Sequence, residues 1–203
     1  MPNELDNDIV TISKLQVALR SAARSLQSEL SALTLEADTE TTEGLRQLLE
    51  ASALSLLRNS DNWTHVLASS QTIDRREEAE TVFKRFSIEE RSKFSVETLS
   101  NVDGKIRQRP LVELDPDEEP ADYIVVTLLI GTADDQPLFG QINSLQAIQE
   151  ALKKVASMRS DYLMVFELLW SPQVEADTLT EAELTKEYPD LVTLTEAIPK
   201  GIV

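Results

Sequence analysis

Residues Tyr123 to Thr132 read YIVVTLLIGT, a run that is apolar on both faces of an extended chain. Such a strand belongs in the interior of a sheet that is covered on both sides. Tyr162 to Trp170 is a second long strand, with Tyr162, Met164, Phe166, Leu168 and Trp170 on one side and Leu163, Val165, Glu167 and Leu169 on the other. Trp63 to Ile73 alternates with β-branched and aromatic residues and reads as a third. A fourth opens the chain at Val10 and Ile12. Helix is expected to take over somewhere between Leu15 and Arg20, because Leu19, Ala22, Ala23, Leu26, Leu30 and Leu33 share one helical face.

Helical signals fill the intervals between these strands. Leu45, Leu48, Leu49, Ser52 and Leu56 form one stripe after the polar loop 37–42. Asp74 with Glu77 predicts a capped helix carrying Ala79, Val82, Phe83 and Phe86. Ser87 with Glu90 is a second capping box, so one helix is expected to end and another to begin near Phe86. Gly104 in NVDG should stop that run. Asn143 with Gln146 caps a helix whose Leu145, Ile148, Leu152 and Val155 face a core, and Thr180 with Glu183 caps a last one that must end before Pro189.

The resulting order is β-α-α-β-α-α-β-α-β-α, with no hairpin signal. It predicts an α+β or α/β fold: a small sheet of about four strands with helices packed on it. A β-α-β pattern echoes between Val10–Ile73 and Tyr123–Trp170, in pattern and not in residue identity. The whole chain, 1–203, is expected to be one domain, with 105–122 as an internal charged, proline-containing loop.

Charge narrows the function classes. The chain has 203 residues, a net charge of −17 and no cysteine. A field of that sign repels phosphate backbones and anionic membrane surfaces, so nucleic acid is not an expected partner. Disulfides, thiolate metal sites and cysteine nucleophiles are excluded. The start, MPNELDND, is acidic and is not a signal peptide, and no apolar run is long enough to span a bilayer. The expectation is a soluble, cytoplasmic chain, or the soluble part of something longer.

Three segments carry a family resemblance: KLQVALRSAARSLQSEL, SIEERSKFSVETLSNV (Ser87 to Val102) and LLWSPQVEADTLTEAELTKEYPDL. They resemble the cyanobacterial and chloroplast family known as domain of unknown function 1517, whose named plant member is a fluctuating-light acclimation protein. The resemblance implies a photosynthetic organism and a non-enzymatic role near thylakoid or envelope membranes. It implies no catalytic residues and no cofactor. Members commonly carry an N-terminal targeting or hydrophobic segment and a glycine-rich stretch, both missing from this sequence.

Few residues suggest chemistry. His65 is the single histidine and lacks partners at triad or metal spacing. Glu167 interrupts an apolar strand, which fits an edge position, an ion pair with an arginine such as Arg107 or Arg109, or a functional carboxylate with a raised pKa. Trp170 is either a core anchor or an exposed aromatic anchor for a partner. If the strands at 123–132 and 162–170 run parallel, Asp134, Asp135, Glu175 and Asp177 share one rim and could hold a hard cation. The expected function is a non-enzymatic interaction or regulatory domain of the photosynthetic apparatus or its acclimation, with a protein partner, membrane-associated ones included. The alternatives are a divalent-cation-binding domain using those four carboxylates, and a hydrolase using Glu167 with a second carboxylate. No phosphate loop, dinucleotide fingerprint or nucleophile elbow is present.

Overall fold

The computed structural model describes residues 4–23, 25–101, 123–173 and 177–194. Its strands are β1 (Val10–Arg20), β2 (Trp63–Ile73), β3 (Tyr123–Thr132), β4 (Leu163–Ser171) and β5 (Val192–Thr193). Its helices are α1 (Ser25–Glu36), α2 (Thr42–Arg58), α3 (Arg76–Asn101), α4 (Leu145–Ala156) and α5 (Glu181–Glu187). The strands form one sheet in the order β4-β3-β1-β2-β5, and every neighbouring pair is antiparallel. The fifth strand is an addition to the four expected. Its two residues pair with His65 and Val66, too short a stretch for any periodicity to show.

β1 is the central strand, and only Arg20 among its residues is exposed. The expected change to helix between Leu15 and Arg20 does not occur. Burial on both faces blurs the period of two, so Leu19 joined by coincidence a helical stripe whose Leu26, Leu30 and Leu33 do belong to α1. Helix starts instead at Ser25. The break expected near Phe86 is absent too: α3 runs unbroken through 26 residues. Both members of the supposed capping box bond elsewhere, Ser87 to Glu167 and Glu90 to Lys14 and Gln16. α4 is capped by Ser144, whose hydroxyl accepts from the Ala147 amide at 3.2 Å, and not by Asn143. The Thr180–Glu183 capping box forms as expected. The loop at 105–122 and the stop at Gly104 lie outside the described residues.

Helices cover both faces. α1, α2 and α4 pack against Leu15, Val17, Leu19, Val126, Leu128 and Ile130. On the opposite face α3 covers Ile12 and Leu129 through Ala79 and Phe83, and α5 covers Ala18 and Val125 through Leu184. α2 begins tightly: a Cβ at Gly44 would lie 1.9 Å from the carbonyl oxygen of Asp38, so only glycine lets the 38–41 turn close against the helix.

The strand directions correct the premise that β3 and β4 run parallel. A connection that traverses the sheet once returns a parallel strand, and one that traverses it twice returns an antiparallel strand. α1 and α2 together make two traverses, so β2 begins at the end where β1 stops. Between β3 and β4 the second traverse is made by the loop 133–144, part of which packs along α4 around Leu138 and Ile142.

Candidate functional site

The chemistry-bearing side chains gather between α3 and the sheet. Along β1 the positions on the face covered by α3 and α5 are Ile12, Lys14, Gln16 and Ala18, the last of them under α5. Two polar residues in that row would be costly beneath a helix without partners. Glu90 of α3 supplies one. It is 1 % exposed, yet it accepts from the Lys14 ammonium at 3.1 Å, from Gln16 Nε2 at 2.9 Å and from the Lys93 ammonium at 2.8 Å. Gln16 Nε2 also donates to Thr127 Oγ1 at 2.9 Å, tying β1 to β3. Aromatic rings back both cations: Lys14 lies 5.1 Å from the Phe86 ring centroid and Lys93 lies 4.3 Å from that of Tyr188.

One row towards β4 sits Glu167, opposite Leu129. It accepts from Ser87 Oγ at 2.8 Å and from the Arg91 guanidinium at 3.2 Å. The expected ion pair is therefore made by Arg91, one turn after Ser87 on α3. Arg107 and Arg109 lie outside the described residues. Ser87, Glu90 and Arg91 recur at helical spacing on the side of α3 that meets the sheet. The signal for this cluster was the polar pair Lys14 and Gln16 on alternate positions of a buried strand, facing an acidic residue of an amphipathic helix.

Chemically the arrangement is a brace. Each carboxylate is bound by at least one cation and one neutral donor, and Glu90 is almost wholly buried. Beside Glu167 the surface opens into a groove of about 410 Å³ between α3 and β4.

Among the described residues, Asp134 and Asp135 do not share an edge of the sheet with Asp177. Because β3 and β4 are antiparallel, Asp134 and Asp135 follow the end of β3 where β4 begins, and Asp177 follows the opposite end of β4. The shared rim on which the cation reading rested is absent. Glu175 lies outside the described residues, and among those described no three His, Asp or Glu residues are grouped to hold a metal. Asp135 accepts two bonds from the Asn7 side-chain amide, at 2.9 and 3.0 Å. Trp170 is half-buried and packs against the core on the α1–α2–α4 face, and its buried indole nitrogen has no hydrogen-bond partner among the described residues. No helix among the described residues is long and apolar enough to cross a membrane.

His65 lies under α5, edge-on to the Tyr123 ring at 5.7 Å, with Nδ1 2.9 Å from Thr64 Oγ1. Burial holds its pKa below the ordinary imidazole value, against a smaller upward pull from Glu181. The unfolded chain therefore takes up this proton more readily than the folded one. The resulting stability is complete above roughly pH 6.5, the unfolded value, and is lost as pH falls through that value towards the depressed folded one. The variant His65→Phe should show a flatter fall in urea midpoint between about pH 6.5 and 5 than the wild type. Parallel slopes would mean that His65 is not held neutral by the fold.

The fold described here spans the region in which this sequence matches a known family. The family described as a protein of unknown function, DUF1517, matches residues 9–194. The chain belongs to that family. The match takes in every element from β1 to β5. Protein FLAP1 homolog A of Synechocystis is 35% identical over 189 residues, which cover 90% of this chain and 56% of that protein. The chloroplastic FLUCTUATING-LIGHT-ACCLIMATION protein 1 of Arabidopsis thaliana is 38% identical over 184 residues, 91% of this chain and 46% of that protein. This chain thus spans about half the length of the curated relatives it matches. No solved structure matches it.

Proposed function

We propose that this chain is a non-enzymatic regulatory domain that acts in photosynthetic acclimation by binding a protein partner. The observation that carries this reading is the similarity, over nine-tenths of the chain, to two relatives named for light acclimation or for their homology to such a protein. The site supports it. Glu90 and Glu167 are committed to holding α3 on the sheet, and a carboxylate bound in this way is a poor general base. The charge of −17 favours a partner with a basic face and makes association faster at low salt. The plant relative's name, which marks it as chloroplastic, supports a site of action beside the photosynthetic apparatus. What the remaining half of the longer relatives contributes is outside this domain's part in the proposal.

The test is deletion of the gene in its source organism. Chlorophyll fluorescence is then followed under steady light and under alternating low and high light. Photosystem II yield should diverge from the parent strain under the alternating regime, and the intact gene should restore it. Identical traces in both regimes would remove the acclimation reading.

A further inference from the structure

The groove between α3, β1 and β4 is built from a different set of side chains than the brace beside it. Its apolar walls are Ile12, Ala79, Phe83, Met164 and Val165. Between Ile12 and Val165, in register with both, stands Gly131 of β3. A Cβ on Gly131 would lie 2.6 Å from Val165 Cγ1 and 3.3 Å from Ile12 Cδ1. The two neighbours thus fold down into the place where a β3 side chain would stand, and the space above them stays open.

The size and the charges of the groove say what it suits. At about 410 Å³ it falls within the range of small-ligand sites, roughly 300–1,000 Å³. A cavity of roughly 150 Å³ accepts benzene, so about 410 Å³ has room for a chain on the order of a dozen carbons. Most charges on its rim are already matched: Lys84 with Glu80, and Glu167 with Ser87 and Arg91. Arg76 is the exception. Its guanidinium donates to the Asn7 carbonyl oxygen at 3.3 Å and has no carboxylate partner among the described residues. An apolar groove with an unmatched guanidinium among its lining residues fits a hydrocarbon tail ending in a carboxylate.

We propose that this groove binds a medium-chain fatty acid or a similar anionic amphiphile, with the tail along Phe83, Met164 and Val165 and the carboxylate on Arg76. The site is independent of the acclimation role. The first is measured on purified protein and the second in cells, so either can fail alone.

The test is displacement of cis-parinaric acid fluorescence from the full chain by dodecanoate and by dodecanol. Dodecanoate should bind about tenfold or more tightly than the alcohol, the scale of one charge-assisted hydrogen bond. The exposed variant Arg76→Gln should erase that preference and leave the alcohol's affinity unchanged. Met164→Trp and, separately, Val165→Phe should fill the groove and weaken both ligands, with unfolding cooperativity checked for each. Three results would each overturn the proposal: no displacement by either ligand below the concentration at which it self-associates, an acid preference that survives Arg76→Gln, or full affinity in a folded groove-filling variant.

Discussion

Glu90→Ala is expected to destabilise the fold by about 3–5 kcal/mol, measured as a fall in the urea midpoint at unchanged slope. Removing the carboxylate strips Lys14 of its counter-charge beneath α3, where that lysine is only 7 % exposed, and leaves Gln16 with Thr127 as its remaining partner. The size of the loss comes from the stranded cation. The attraction it replaces is a smaller quantity, because two ions brought out of water repay little of their hydration. The double variant Lys14→Met, Glu90→Leu should therefore be more stable than Glu90→Ala, since only Lys93, nearer the solvent than Lys14, is left without its carboxylate. Should Glu90→Ala cost less than about 1 kcal/mol, an ordinary surface value, the brace would not be what holds α3 to the sheet.

The second large effect is expected at the opposite face. Leu128 is fully buried at the middle of β3, between Leu15 of β1 and Leu168 of β4 in register. The helical layer over this row closes the main core, so the surroundings cannot collapse far into a void. Leu128→Ala should cost about 2–5 kcal/mol, as transfer energy lost plus the cavity left behind. Leu128→Met, which keeps the volume, should cost less than about 1.5 kcal/mol. Equal losses in the two variants would mean that this row is not tightly packed.

Several elements were legible one residue at a time. The capping box at Thr180 and Glu183 is a contact between neighbours in sequence, and it formed as read. β3 declared itself by being apolar on both faces, and it lies second from the edge with helices above and below. Where the same logic failed, a distant partner had claimed the residue. Ser87 and Glu90 have the spacing of a cap, but their bonds go 80, 76 and 74 positions away in sequence, to Glu167, Lys14 and Gln16. α3 therefore continues through a position where local signals say stop. Glu167 was readable as a paired carboxylate, while its partner was not, because nothing in the chain near 167 points to Arg91.

The parallel premise behind the candidate cation site fell for a topological reason. Whether Asp134 and Asp177 share an edge depends on how many times the chain crosses the sheet between β3 and β4. A loop that crosses in extended form leaves no periodic trace. The groove was equally silent: its walls come from β1, α3 and β4, three elements far apart in sequence.

Local pattern alone determined that this chain builds a helix-covered sheet with a strongly negative surface, because hydrophobic period, caps and net charge are each properties of neighbouring residues or of their sum. Only the tertiary structure decided that all strands run antiparallel, that Glu90 and Glu167 are engaged by α3 and β1, and where a cleft remains open. Strand direction, ion pairing and unfilled volume arise between elements far apart in sequence, and long-range distance is the quantity that a linear reading lacks.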